Sequence, residues 1–327
     1  MIQSPRMDSA PGSLQLNRRA LAVLEEALRD HPRLRITVSS PDGAGRFVDA
    51  GVRAEGGIEA GILLARLCLA GLGSVSVAAG NLPFPGSHRV DVAVDHPVAA
   101  CMASQYAGWQ ISLEGFFGMG SGPMRAAYGG EDLFGRIGLV EKEDEVLGVL
   151  ETASPPGPEV FRFIAGKIGI DPARVTLVAA RTRSIAGGVQ VVARSVETAL
   201  HKLDTLGFDL TRVRSGLGAA PLPPPAKDDL RAMGRTNDAI LYGGQVTLLV
   251  RGDDDSIHEI GPRVPSSASP DHGSPFREIF ERNGKDFYRI DPALFSPAEV
   301  SFWNIETGRT HRFGRVEPSV LERSFHE

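Results

Sequence analysis

The chain has 327 residues, too many for one small core and enough for two domains of ordinary size. Hydrophobic residues make up 42% and charged residues 23%, a globular balance, and no apolar run approaches the roughly 20 residues of a membrane span. A net charge of -5 leaves no basic footprint for nucleic acid, and only two cysteines, Cys68 and Cys101, each in an apolar helical pattern, argue against a disulfide framework or a thiolate metal cluster.

The opening MIQSPRMDSAPGSLQLN has no signal-peptide core and reads as a short disordered lead-in, which makes the cytoplasm the expected compartment. Leu16, Leu21, Leu24 and Leu28 then share one face of a helix over residues 14–30. Residues 35–39 and 46–52 read as strands around Pro41–Gly45, and a helix over residues 58–70 stops at Gly71. Strands at residues 74–78 and 89–94 flank the loop AGNLPFPGSH. A helix from Pro97 to about Ala107 and a strand at Trp109–Leu113 follow. Helices and strands alternate without a repeat, an α/β pattern with mixed sheets.

Glu114–Pro123, EGFFGMGSGP, reads as a glycine-rich loop feeding a helix at Met124. Backbone N–H groups before a helix suit an anion or a carbonyl, but a plain structural turn needs the same glycines. The loop lacks the Lys-Ser/Thr ending of a phosphate loop. A strand at 145–150, a helix at 158–168 and a buried strand at 174–180 lead to RTRSIAGGVQVVARSVETALHKLDTLGF, residues 181–208. There Val189, Val192, Val196, Ala199, Leu200 and Leu203 recur at helical spacing behind an Ala186-Gly187-Gly188 turn, predicting one helix with a buried stripe. Arg194 and Glu197, three apart, fall side by side on it. Spacing alone leaves open an ordinary solvated ion pair or a working acid–base pair.

Pro221–Pro225 is extended and stiff. A short helix at 227–233 leads to Thr236, Asn237 and Asp238, expected just before a strand at 239–242. Their polar groups suit either a pocket wall or a turn. Arg251–Ser256 lacks the distal ligands of a calcium loop and reads as a solvated hairpin end, and the eight histidines show no zinc spacing. Residues 275–282 read as an amphipathic helix, and 299–304 with 310–315 as a final hairpin.

Several stretches together resemble one family, the methenyltetrahydromethanopterin cyclohydrolases: GVRAEGGIEAG, VDHPVAACMASQYAGWQI, FFGMGSGPMRA, SIAGGVQVVARSVETALHKL, RAMGRTNDAILYGG and LFSPAEV, in order over most of the chain. The resemblance implies two α/β domains, taken as residues 1–180 and 181–327, with a pterin cleft between them. It implies hydrolysis of the methenyl cation of tetrahydromethanopterin to the formyl derivative, a step of one-carbon metabolism and formaldehyde oxidation, in a bacterial member of the family. Glu197 and Arg194 would be the catalytic pair. Phe117, Ser121, Gly122, Pro123, Thr236, Asn237 and Asp238 would line the cleft. No metal and no permanently bound cofactor are expected, the tetrahydromethanopterin derivative being substrate and carrier, and a homo-oligomer, a trimer, is implied. A non-catalytic pterin- or nucleotide-binding protein is the rival reading, distinguished by its lack of need for a base at Glu197.

Overall fold

A computed structural model describes residues 14–80, 82 and 88–326. The lead-in before residue 14 and most of the loop after residue 80 lie outside the described residues. In chain order the strands are β1 Thr37–Ser39, β2 Arg46–Gly51, β3 Gly73–Ala79, β4 His88–Val94, β5 Trp109–Leu113, β6 Phe116–Ser121, β7 Val146–Thr152, β8 Val175–Ala180, β9 Val213–Leu222, β10 Gln245–Val250, β11 Glu299–Asn304 and β12 Thr310–Gly314. The helices are α1 Leu16–Leu28, α2 His31–Leu34, α3 Ile58–Cys68, α4 Met124–Tyr128, α5 Asp132–Ile137, α6 Pro158–Ile168, α7 Ile185–Val192, α8 Ser195–Thr205, α9 Asp229–Leu241, α10 Asp255–Ile260, α11 Phe276–Arg282 and α12 Pro318–His326. Val98–Gln105 is a π-helical turn.

Two six-stranded mixed sheets result, ordered β1-β2-β8-β7-β6-β5 and β12-β11-β10-β9-β4-β3. Strands β2, β8 and β7 run parallel in the first. The central strand β8, VTLVAA, is buried along its whole length, as a parallel strand covered on both faces must be. One of its faces packs with α1, α3 and α7, the other with α6. The second sheet lays Val90, Val92, Val246 and Leu248 against the stripe of α7 and α8, where Val189, Val192, Val196, Ala199, Leu200 and Leu203 are all buried. Strands β3 and β4 join this second sheet, so a division at residue 180 does not follow the sheets.

Several sequence expectations change. The glycine-rich stretch is not a loop: residues 116–121 form β6, a hairpin partner of β5 turned at Gly115. Gly120 serves close packing, since a Cβ there would meet Met124 Cε and Trp109 O at 2.9 Å. The strand expected at 239–242 is the end of helix α9, whose Ala232, Ala239 and Ile240 face the core at helical spacing. Residues 181–208 form two helices, not one, broken at Ala193–Arg194. Residues 251–256 are exposed at Arg251, Asp253 and Asp255 but lead into α10 rather than round a hairpin, and Asp254 is buried, accepting from Asn304 Nδ2 at 2.8 Å and Thr307 Oγ1 at 3.1 Å, beside His311 Nε2 at 3.0 Å.

Candidate active site

The break between α7 and α8 builds the site. The Ala193 carbonyl leaves the helical ladder and accepts from the side-chain amide of Gln105, at the end of the π turn, at 3.0 Å. Arg194 therefore caps α8 outside helical geometry and swings its guanidinium onto three elements. It donates to the Gln105 carbonyl, to Gln190 Oε1 of α7 at 2.9 Å and to Ser121 Oγ of β6 at 3.2 Å. Ser121 in turn donates to Val149 O at 3.3 Å and lies 3.4 Å from the Cys68 thiol at the end of α3. The expected side-by-side pairing of Arg194 with Glu197 is thus replaced by proximity. The guanidinium's hydrogen bonds go elsewhere, and only its charge reaches the carboxylate.

Glu197 lies in the first turn of α8, where helix N–H groups favour a negative charge. It is only 6% exposed, and among the described residues no donor bonds its carboxylate. Burial pushes its carboxyl up to about 7, against the lowering influence of the Arg194 and Arg125 charges. Arg125, wholly buried in α4, grips Glu131 through two bonds of 2.8 and 2.7 Å, donates to Met102 O at 2.9 Å and stands 5.0 Å over the Tyr106 ring. Tyr106 stacks at 4.7 Å on His201, one turn beyond Glu197 on α8. Burial lowers the affinity of His201 for a proton. A cavity of about 210 Å³ opens here, lined by Tyr106, Glu131, Arg136 and His201 among others.

The other sequence-derived candidates fall in three places. Gly122 makes the turn after β6 with φ +86°, its N–H bonded to Ser104 O at 2.8 Å, and the Pro123 carbonyl accepts from Asn17 of α1 at 3.0 Å. Phe117 stands 57% exposed on β6. Thr236 and Asn237 bond back to carbonyls of their own helix, while Asp238 accepts from Phe276 N at 2.7 Å and Ser324 Oγ at 2.6 Å, pinning α9 to α11 and α12. Sequence reasoning missed Gln105, Gln190 and Arg125. Gln190 carried a readable signal, since it precedes Arg194 by one helical turn; the other two meet the site only through the fold. Among the described residues, no group of three or more His, Cys, Asp or Glu side chains is placed to hold a metal ion, and no helix is long and apolar enough to cross a membrane.

A buried carboxylate pushed up to about 7, with a fixed guanidinium beside it, has the chemistry that an acid–base site requires. The family model described as Cyclohydrolase (MCH) matches residues 15–325, and the chain belongs to that family. A methenyltetrahydromethanopterin cyclohydrolase of Methylobacterium sp. (strain 4-46) is 46% identical over 98% of this chain and 100% of its own length. One from Rhodopirellula baltica is 47% identical over 86% of each chain, and one from Methanosarcina barkeri 39% identical over 95% of this chain and 98% of its own.

Proposed function

We propose that the protein hydrolyses 5,10-methenyltetrahydromethanopterin to 5-formyltetrahydromethanopterin, reversibly, in one-carbon metabolism. Membership of the Cyclohydrolase (MCH) family and the activity its relatives are named for support the reaction; the feature that carries the mechanism is Glu197, buried, without a donor among the described residues and pushed up to about 7 beside Arg194. The methenyl carbon shares a positive charge between two nitrogens and is already electrophilic. Only a water needs activation. Glu197 takes a proton from that water as its oxygen bonds to the methenyl carbon, then returns it to the nitrogen whose bond to that carbon breaks, while the remaining hydroxyl proton passes to solvent as the formyl C=O forms. The balance is cation plus water to formyl product plus one proton. A carboxyl near 7 exchanges protons in both directions at neutral pH, whereas an ordinary carboxylate is too weak a base. Arg194, immobilised by Gln190, Ser121 and the Gln105 carbonyl, keeps the site's field fixed and favours the ionised form.

Phe117 and Ser121 of β6, with Gly122 and Pro123 of the turn after it, border the substrate in this reading. Thr236, Asn237 and Asp238 are retained as its farther wall, on the family resemblance alone. The working assembly is a homo-oligomer, a trimer, and the compartment the cytoplasm. Two buried, unpaired thiols agree with a reducing environment. The test is loss of the methenyl chromophore in the near ultraviolet with wild-type protein and its persistence with Glu197→Gln. Unchanged decay in that variant would remove Glu197 as the base, and no decay with wild type would leave a binding protein.

A further inference from the structure

Ser121 ends a stripe along β6. Alternation puts Phe117, Met119 and Ser121 on the sheet face that looks toward α3, because Ser121 meets Cys68 there. On the neighbouring strand, Leu147 and Val149 enter the core formed with α3, so Glu151 shares that face. The registers Ser121↔Val149 and Met119↔Glu151 set Glu151 two residues, about 7 Å, along the sheet from the Ser121–Arg194 contact. The charges of Glu151 and Glu197 both act on Cys68, whose thiol is raised chiefly by burial, which places the two carboxylates about one neighbourhood.

Glu151 is half-buried yet has no Lys or Arg partner among the described residues. Among the described residues its one hydrogen bond comes to Oε1 from Thr182 Oγ1, in the loop between β8 and the Ser184 cap of α7. Oε2 accepts nothing from the described residues. A carboxylate oriented by a single hydroxyl, with an exposed Phe117 on the adjacent strand, is arranged for a ligand rather than for the fold.

We infer that Glu151 is a specificity-determining residue that accepts both the 2-amino group and the ring N3–H of the pterin. This deepens the proposed function and rests on it. Two adjacent donors on a flat ring match two carboxylate oxygens, the same complementarity that pairs guanidinium with carboxylate. Phe117 and Met119 supply an apolar floor for the ring. The reacting carbon is at the opposite end of the bicycle from the amino group, so a pterin anchored at Glu151 extends it along the stripe toward Ser121, Arg194 and Glu197.

The test uses the full-length protein, methenyltetrahydromethanopterin as substrate, and 6-methylpterin and 6-methyllumazine as competitive inhibitors. Lumazine replaces the 2-amino donor by an acceptor oxygen. Wild type should turn over substrate and prefer the pterin. Glu151→Ala should raise KM about 10- to 100-fold with kcat nearly unchanged, the range expected for losing hydrogen bonds to a charged group. Glu151→Gln, whose amide offers one acceptor and one donor, should reverse the preference toward lumazine. Thr182→Val, which leaves the carboxylate in place but unoriented, should raise KM less, and it carries the test together with Glu151→Gln if the alanine variant does not fold. Active wild type with unchanged KM and unchanged inhibitor preference in these variants overturns the assignment of Glu151 alone. Inactive wild type removes the cyclohydrolase reading and this inference with it.

Discussion

In the proposed mechanism Glu197 carries the chemistry, and its burial also carries a cost in stability. Its carboxyl is shifted upward, so the folded chain holds a proton that the unfolded chain releases between the ordinary value of 4.5 and about 7. Stability therefore falls as pH rises through that window, the reverse of the usual carboxylate behaviour. Glu197→Gln should remove this loss: in urea denaturation the variant should gain on wild type between pH 5 and pH 8, by about 3 kcal/mol at most. Equal pH dependence in the two proteins would show that the carboxyl is not shifted upward in the fold. Activity follows the opposite limb. A base must be ionised, so wild-type kcat/KM should climb tenfold per pH unit below about 7 and level above it. Glu197→Gln should lose roughly 100- to 10,000-fold in kcat and show no such limb, as stopped-flow absorbance would record.

At the scale of elements, the site is made by a defect in a helix, and this sets what the sequence could reveal. The apolar stripe from Val189 to Leu203 was legible because its spacing survives the break, and so the buried face was read correctly while the break was not. Nothing local in VVARSV forces Ala193 out of the ladder; the amide that takes its carbonyl belongs to Gln105, distant in the chain. The same limit hid β6. Its Gly120 is there for close approach to Trp109 and Met124, a reason visible only once those residues are neighbours. Gly61 makes the dependence testable. A Cβ there would lie 2.6 Å from Val189 Cβ and 2.9 Å from Ala186 O, so α3 and α7 touch with no room between them. Gly61→Ala should push α7 outward, costing about 1–3 kcal/mol in thermal or denaturant unfolding and lowering kcat through Arg194, which α7 delivers. A variant as stable and active as wild type would show that α7 can shift without disturbing the site.

For the whole molecule, the second sheet leaves one face open. Its inner face is covered by α7, α8 and α9, whereas among the described residues its outer face presents Ser74, Ser76, Asp91, Ala93, Gln245, Thr247 and Glu299 around an open concavity of about 480 Å³. Leu217 and Trp303 stand 43% and 46% exposed on β9 and β11. The sheet is antiparallel at every pairing but β10 with β11, so one open face is ordinary, but two large apolar side chains standing out among small residues suit a surface that another copy covers. The sequence did not show this, because the alternation in β9 reads the same whether the outer residues meet solvent or a neighbour. If this face joins the subunits of the proposed trimer, Leu217→Glu combined with Trp303→Glu places two charges in a contact they cannot leave unpaired. Sedimentation velocity should then show monomer where wild type shows trimer, with circular dichroism unchanged, since neither residue enters the core. A variant that remains trimeric would move the interface to another face, and a wild type that sediments as a monomer would leave the bare sheet without its partner copy.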